Sequence, residues 1–230
     1  MKKALFLLTF AFFISHSYAQ PYKTIKIYKP YKWMVGVSWS AIDDDGRQFE
    51  GIFDVANWNY MVFPTRITLD RYFRYGWSAE AVATYSQYLP DKLVNDSTNR
   101  GSTFFSFDLN GKYSFYQKYA PRARWIDPYF TFGVGYTYRN SANVSPHVPT
   151  VNLGFGLNIW IVRSLGIQLH SNAKIGVYPG FWVTHTNYLQ HSAGIVFRWG
   201  EGKKNSNGGF GRKKNKWTKK KPKYKPNKGH

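Results

Sequence analysis

From Trp33 to Trp199 apolar and polar residues alternate at period two in segment after segment, the pattern of strands whose two faces meet different surroundings. In the first segment Trp33, Val35, Val37 and Trp39 share one face, and Gly36, Ser38 and Ser40 the other. A second, Thr65 to Phe73, sets Ile67 and Leu69 against Arg66, Thr68 and Asp70. The third, Trp77 to Gln87, opposes Trp77, Ala79, Ala81, Ala83 and Tyr85 to Ser78, Glu80, Val82, Thr84 and Ser86. The fourth, Thr103 to Phe115, sets Phe105, Phe107, Leu109 and Tyr113 against Ser106, Asp108, Asn110 and Lys112. Four more follow at Asp127 to Tyr138, Val151 to Ile159, Gly166 to Val177 and Tyr188 to Trp199. In the last two, Lys174 and Arg198 fall on the polar side. No segment reads as an amphipathic helix.

Alternation alone suits a soluble sandwich as well as a membrane barrel. The segments run about ten to twelve residues, long enough to cross a bilayer when tilted, where soluble strands average about five or six. Aromatic residues crowd the segment ends, where a barrel carries its interfacial girdles. The connections alternate long and short: Ile42 to Pro64, then Arg74 to Gly76; Tyr88 to Ser102, then an intermediate link Tyr116 to Ile126; Arg139 to Pro149, then Ile161 to Leu165. The expected fold is all-β, an eight-stranded antiparallel transmembrane β-barrel over residues 20–200, closed so that no strand edge faces lipid. An even strand number puts both termini on one side, the periplasm of a bacterial outer membrane, with outer-membrane lipid and lipopolysaccharide as surroundings. Arg66, Lys112, Lys174 and Arg198 then share a narrow lumen with Asp70, Glu80 and Asp108, and a paired ion network filling it is expected. So narrow a barrel leaves room for side chains rather than a wide channel.

Composition changes this picture mainly at the ends. The chain has 230 residues, a net charge of +20 and no cysteine, which excludes a disulfide framework and a thiolate metal site. Residues 201–230 hold twelve Lys or Arg against one acid, a net of +11, so most of the basic character belongs to a tail. Lys2 and Lys3, the apolar run Ala4 to Ile14 and Ser17-Tyr18-Ala19 read as a secretory signal peptide over residues 1–19. Export leaves no nucleic acid for the basic charge to meet. The tail is too rich in Lys, Gly, Asn and Pro to bury a core, and is expected to be a disordered periplasmic segment. Aromatics spaced among its lysines mark Lys213, Lys214, Lys216, Trp217, Lys219, Lys220, Lys221 and Tyr224 as candidates for binding a periplasmic protein or peptidoglycan.

Asn57-Trp58-Asn59 and the run Phe63-Pro64-Thr65-Arg66-Ile67-Thr68-Leu69-Asp70-Arg71-Tyr72 resemble the first hairpin of OmpA-family outer-membrane proteins of the Bacteroidota type. Phe107-Asp108-Leu109-Asn110-Gly111-Lys112-Tyr113, Asp127-Pro128-Tyr129 with Gly133-Val134-Gly135-Tyr136, Asn152 through Asn158, and Gln190 through Arg198 resemble later barrel segments of that family, over residues 30 to 200 in all. The resemblance implies a barrel with a structural or anchoring role. Where family members continue into calcium-binding repeats and a peptidoglycan-binding domain, this chain enters its Lys-rich tail, so that domain's activity does not carry over.

Catalysis, metal binding and a cofactor find little support. Some eight-stranded barrels are lipid A deacylases with a Ser and a His on one strand's outer face, and His170-Ser171 is superficially similar. Adjacent strand residues point to opposite faces, so His170 should face the lumen and Ser171 the lipid. His191-Ser192 fails in the same way. Asp43-Asp44-Asp45-Gly46 lacks the spacing and distant Glu of an EF-hand, and a solvated loop is expected there. No enzyme, metal site or cofactor is expected. Two non-catalytic functions remain: a barrel whose tail contacts cell wall or a periplasmic partner, and an accessory subunit of a larger outer-membrane complex, for secretion such as type IX or for barrel assembly. A small gated channel is the minor alternative.

Overall fold

The structure is a computed structural model and describes residues 31–46, 55–98, 101–116, 125–141, 144–181 and 183–200. The expectations for the signal peptide, 1–19, and for the tail, 201–230, lie outside the described residues. Eight strands make the body: β1 (Trp33–Asp43), β2 (Arg66–Arg74), β3 (Trp77–Tyr88), β4 (Ser102–Ser114), β5 (Ile126–Arg139), β6 (His147–Trp160), β7 (Leu165–Gly176) and β8 (Tyr188–Trp199). Each pairs antiparallel with its neighbour in sequence, and β1 pairs with β8 from Trp33↔Trp199 to Asp43↔Leu189. That last pairing closes the sheet, so every strand has two partners and no edge is left open.

The barrel is inverted relative to a water-soluble protein. Outward positions are large, apolar and exposed, among them Val37, Trp39, Ile67, Leu69, Phe105, Phe107, Leu109, Phe132, Val134, Phe155, Leu169, Ile195 and Phe197. Inward positions are polar and buried, among them Ser40, Thr68, Ser106, Asn110, Thr131, Asn152, Gln168, Asn172 and Gln190. A continuous apolar wall of this extent needs lipid against it, and a closed antiparallel sheet is the β-structure that hydrocarbon tolerates. The fold is therefore an eight-stranded transmembrane barrel.

Local sequence sets the details. β2 and β3 are joined by Tyr75 and Gly76 alone, both at positive φ (55° and 87°), the two-residue turn whose twist suits a hairpin. This turn, residues 161–164 and the outer ends of β1 and β8 define the short-turn end of the barrel. At the opposite, long-loop end, Asn59–Tyr60 extends the sheet beside Ala41 and Ile42 beyond the start of β2. The next loop carries the small hairpin Leu93–Val94 with Ser97–Thr98.

Candidate functional site

The lumen concentrates the polar chemistry of the chain, and period-two alternation is what delivers it there: one face of every strand points inward. It is built in three layers. Near the short-turn end Tyr31, Met34, Tyr72, Trp160 and Val196 form a buried apolar cluster. Near the long-loop end Ile42, Tyr88, Val94, Phe104 and Tyr188 form another, with Val144 against it. Between and around them lies a polar network.

Asp70 anchors the lower part of that network. It accepts hydrogen bonds from Tyr31 Oη (3.1 Å) and Ser78 Oγ (3.0 Å), and Lys112 Nζ lies 3.0 Å from its Oδ2. Lys112 also sits over the Tyr129 ring, 4.2 Å from its centroid. Glu80 is directly across from Asp70 in the β2/β3 register, a like-charge pair that only nearby cations make tolerable. Lys112 and Arg66 supply them, although neither Glu80 oxygen is hydrogen-bonded among the described residues. Arg66 Nη2 lies 3.3 Å from His170 Nδ1, and His170 Nε2 lies 3.0 Å from Thr131 Oγ1. An arginine can only donate, so Nδ1 accepts and the imidazole proton belongs on Nε2, facing Thr131. Higher up, Lys174 Nζ donates to both oxygens of Asp108 at 2.7 Å, and Asn152 Nδ2 adds a third bond at 3.1 Å.

Arg66, Asp70, Glu80, Asp108, Lys112 and Lys174 thus all face the lumen and are at most 3% exposed. Arg198 stands apart from them. Although its strand parity is inward, it lies at the short-turn rim, half-buried, with its guanidinium 3.6 Å from the Trp160 ring centroid and Nε donating to the Arg163 carbonyl at 2.8 Å. The last inward position of a strand reaches the barrel mouth, where a long side chain can turn outward to water.

Several members of the network are absent from the reading of the sequence. Asp127 accepts from Ser114 and from Asn158 (3.5 Å), and Arg139 Nη1 donates to Asp44 Oδ2 at 2.7 Å. Both Asp127 and Arg139 share parity with Thr131 and Thr137: Asp127 lies two steps of the alternation before Thr131, already inside the expected segment, and Arg139 one step after Thr137. Asp44 had no such signal. In place of the solvated loop expected at Asp43-Asp44-Asp45, all three aspartates are buried. Asp44 takes the Arg139 guanidinium and the Tyr88 hydroxyl (2.6 Å), while the carbonyls of Asp44 and Asp45 accept from the amides of Asn95 (2.7 Å) and Asp96 (3.1 Å). Arg139 Nη2 also donates to the His185 carbonyl at 2.8 Å, and Asn95 bonds to the His185 side chain. Three long loops are thereby knotted over the mouth. Burial pushes the Asp44 carboxyl above the usual carboxylate range, against the opposing pull of Arg139.

Some large inward side chains pack directly against glycines. Tyr129 lies against Gly156, where any side chain would collide with its ring, and Asp108 approaches Gly135 as closely. Glycine on the inward face here makes room for a large neighbour across the lumen.

On the outer wall His170 and Ser171 do point to opposite faces, His170 inward and Ser171 outward. Ser171 nevertheless meets a histidine: its Oγ is 3.0 Å from Nδ1 of His191, directly opposite in the β7/β8 register. This pair joins strands and is invisible to any argument from neighbours in sequence. The His191 ring is stacked on Trp58 at 4.4 Å, and Trp39 Nε1 donates to the Val62 carbonyl at 2.9 Å, so parts of the first long loop lie against the outer wall. His191 Nε2 has no hydrogen-bond partner among the described residues. Nor do the described residues include any group of three or more His, Cys, Asp or Glu that would hold a metal ion.

The class these features define is a small transmembrane barrel with a polar, charged interior. No protein-family model matches the chain, and no curated protein matches it. Among solved structures it is similar to the N-terminal β-barrel domain of OprF from Pseudomonas aeruginosa (9% identity, TM-score 0.47, covering 74% of this chain and 98% of that one). It is also similar to the outer membrane protein OprG from Pseudomonas aeruginosa (13%, TM-score 0.49, 74% and 97%) and to Ail, the attachment invasion locus protein of Yersinia pestis (11%, TM-score 0.42, 73% and 97%). Closure of the barrel is established by its own strand pairing.

Proposed function

We propose that this protein is a non-catalytic barrel of the bacterial outer membrane with a structural or anchoring role, both termini periplasmic, whose basic tail contacts the cell wall or a periplasmic partner. The observation that carries this reading is the lumen. Four buried basic side chains (Arg66, Lys112, Arg139, Lys174) meet five buried acidic ones (Asp44, Asp70, Glu80, Asp108, Asp127), and apolar clusters lie toward both ends. Such an interior serves stability rather than passage. The apolar outer wall supports the membrane location, and the resemblance to OmpA-family barrels of the Bacteroidota type supports the outer membrane as the one meant.

With the interior committed to packing, function falls to the surfaces and to residues 201–230. A cationic segment tethered to a membrane-fixed barrel meets the carboxylates of peptidoglycan, or an acidic protein surface, at high effective concentration. Co-sedimentation of the detergent-solubilised protein with purified sacculi, lost on removal of residues 201–230, is the expected result. Recovery instead of a stoichiometric protein complex through the tail would favour an accessory subunit of a larger envelope machine. Binding of neither through the tail would end the tether reading.

The Ser171–His191 pair is assigned a structural role, holding the Trp58 segment to the wall. Its Nε2 faces no described acceptor that would orient the ring as a general base, the third element such chemistry uses. The purified protein is expected to release no fatty acid from lipid A. Release that disappears in Ser171→Ala would make the protein an acyl hydrolase.

A further inference from the structure

The outer wall is not uniform. One cross-strand row near the short-turn end reads Trp33, Arg71, Ala79, Gly111, Phe132, and the next row inward reads Val35, Leu69, Ala81, Leu109, Val134. Small residues in the middle of the first row, continued by Ala81, leave a groove of about 610 Å³ between walls formed by Trp33, Leu69 and Phe73 on one side and Trp77, Leu109 and Phe132 on the other. Gly111 shapes it directly, since a side chain there would press on the Phe132 ring 3.0 Å away. Much of the rest of the wall carries large side chains such as Phe105, Phe107, Phe155, Leu169 and Ile195, with Ala83, Ala173 and Ala193 as isolated small positions.

Arg71 stands at the rim of this groove, exposed, its guanidinium 5.2 Å from the Trp33 ring centroid. Among the described strand residues Arg71 and, at the hairpin, Arg74 are exposed, whereas Arg66, Lys112, Arg139 and Lys174 are buried in the lumen and Arg198 is half-buried at its rim. Both lie at the level of Trp33, Trp77 and Trp199, the aromatic girdle that marks where hydrocarbon gives way to headgroups. A guanidinium at that depth is costly unless something anionic meets it, and it forms paired hydrogen bonds with phosphate readily. Apolar groove and cationic rim together match one kind of molecule, an amphiphile with a phosphate head.

We propose that this groove binds a glycerophospholipid of the leaflet at the short-turn end, with the phosphate on Arg71, assisted by Arg74, and one acyl chain over Ala79, Ala81 and Gly111. The site rests on the membrane reading of the outer wall and is independent of what the tail binds. It would give the barrel a fixed annular lipid at its base, and with it a defined depth in the bilayer.

The test is native mass spectrometry of the full chain, delipidated in detergent and then titrated with phosphatidylglycerol or with a diacylglycerol of the same chains. One retained phosphatidylglycerol is expected, with about tenfold weaker retention of the diacylglycerol, in keeping with one or two charge-assisted hydrogen bonds. Arg71→Gln should lower phosphatidylglycerol retention to the same extent and Arg71→Lys should restore part of it. Ala81→Trp, which fills the groove from the lipid side, should abolish retention with the headgroup contact intact. A heat-dependent gel shift confirms that each variant is folded, and unchanged sacculus binding by the variants separates this site from the tail. Equal retention of both lipids, or indifference to both Arg71→Gln and Ala81→Trp, would overturn the proposal. So would a copurifying protein that seats on these residues in place of lipid.

Discussion

Asp108 and Lys174 show why the lumen charges must be judged in pairs. Each is nearly inaccessible, and each is the other's shortest charged contact. Removing one partner leaves an uncompensated charge in a closed interior, which costs about 3–5 kcal/mol, whereas replacing both by groups of similar volume removes the burden along with the bond. Lys174→Met should therefore lower the urea midpoint of the folded barrel in lipid vesicles far more than the double variant Asp108→Asn/Lys174→Met. Equal losses would mean that the pair is not the unit of stability. Gly156 makes a steric counterpart: Gly156→Ala drives a methyl group into the Tyr129 ring, for about 1–3 kcal/mol of overpacking. Truncation of the neighbour in Gly156→Ala/Tyr129→Ser should recover part of that loss in the same unfolding measurement. At this scale parity along each strand made Arg66, Asp70, Glu80, Asp108, Lys112 and Lys174 legible as inward residues. It could not show that Arg198, inward by the same rule, turns to the rim, because parity knows nothing of depth along the barrel.

At the scale of elements, the long loops hold what the sequence concealed. Acid clusters in loops are ordinarily solvated, and nothing near Asp44 announces Arg139, which lies 95 positions away in sequence. Only closure of the barrel brings the end of β5 beside Asp44, the residue that follows β1. The same holds for Ser171 and His191, set opposite each other by strand register. Closure of the mouth by Asp44 and Arg139 is expected to be acid-sensitive. With its carboxyl raised by burial, Asp44 takes up a proton in the folded state at a pH where an unfolded chain's aspartate is still ionised. In that window the native state binds the extra proton, so this group's effect on stability becomes less favourable as pH rises and does not weaken the barrel on mild acidification. What acid removes is the ion pair holding the loops. Trypsin cleavage after Lys92, in the second long loop, should rise on mild acidification while the barrel's unfolding midpoint holds, and Asp44→Asn should show the faster cleavage at neutral pH. A cleavage rate indifferent to both would mean that the apolar cluster around Tyr88 and Phe104 closes the mouth by itself.

For the molecule as a whole, the strand pattern carried most of the information. Eight period-two segments with aromatic ends and alternating connections are enough to specify a closed barrel, because an exposed apolar face and a polar face leave a membrane sheet one arrangement that satisfies both. The inward apolar clusters were harder to see. Met34, Phe104 and Val196 interrupt the polar face at single positions, and only their convergence in space with other buried residues makes them clusters. On the proposed reading, these clusters and the network between them make the barrel a membrane-embedded body rather than a conduit. Single-channel recording of the purified, full-length protein in planar lipid bilayers tests that claim most directly. The expected trace stays at the conductance of the bare bilayer across the voltage range, and reproducible unitary steps from the folded, heat-modifiable protein would contradict it.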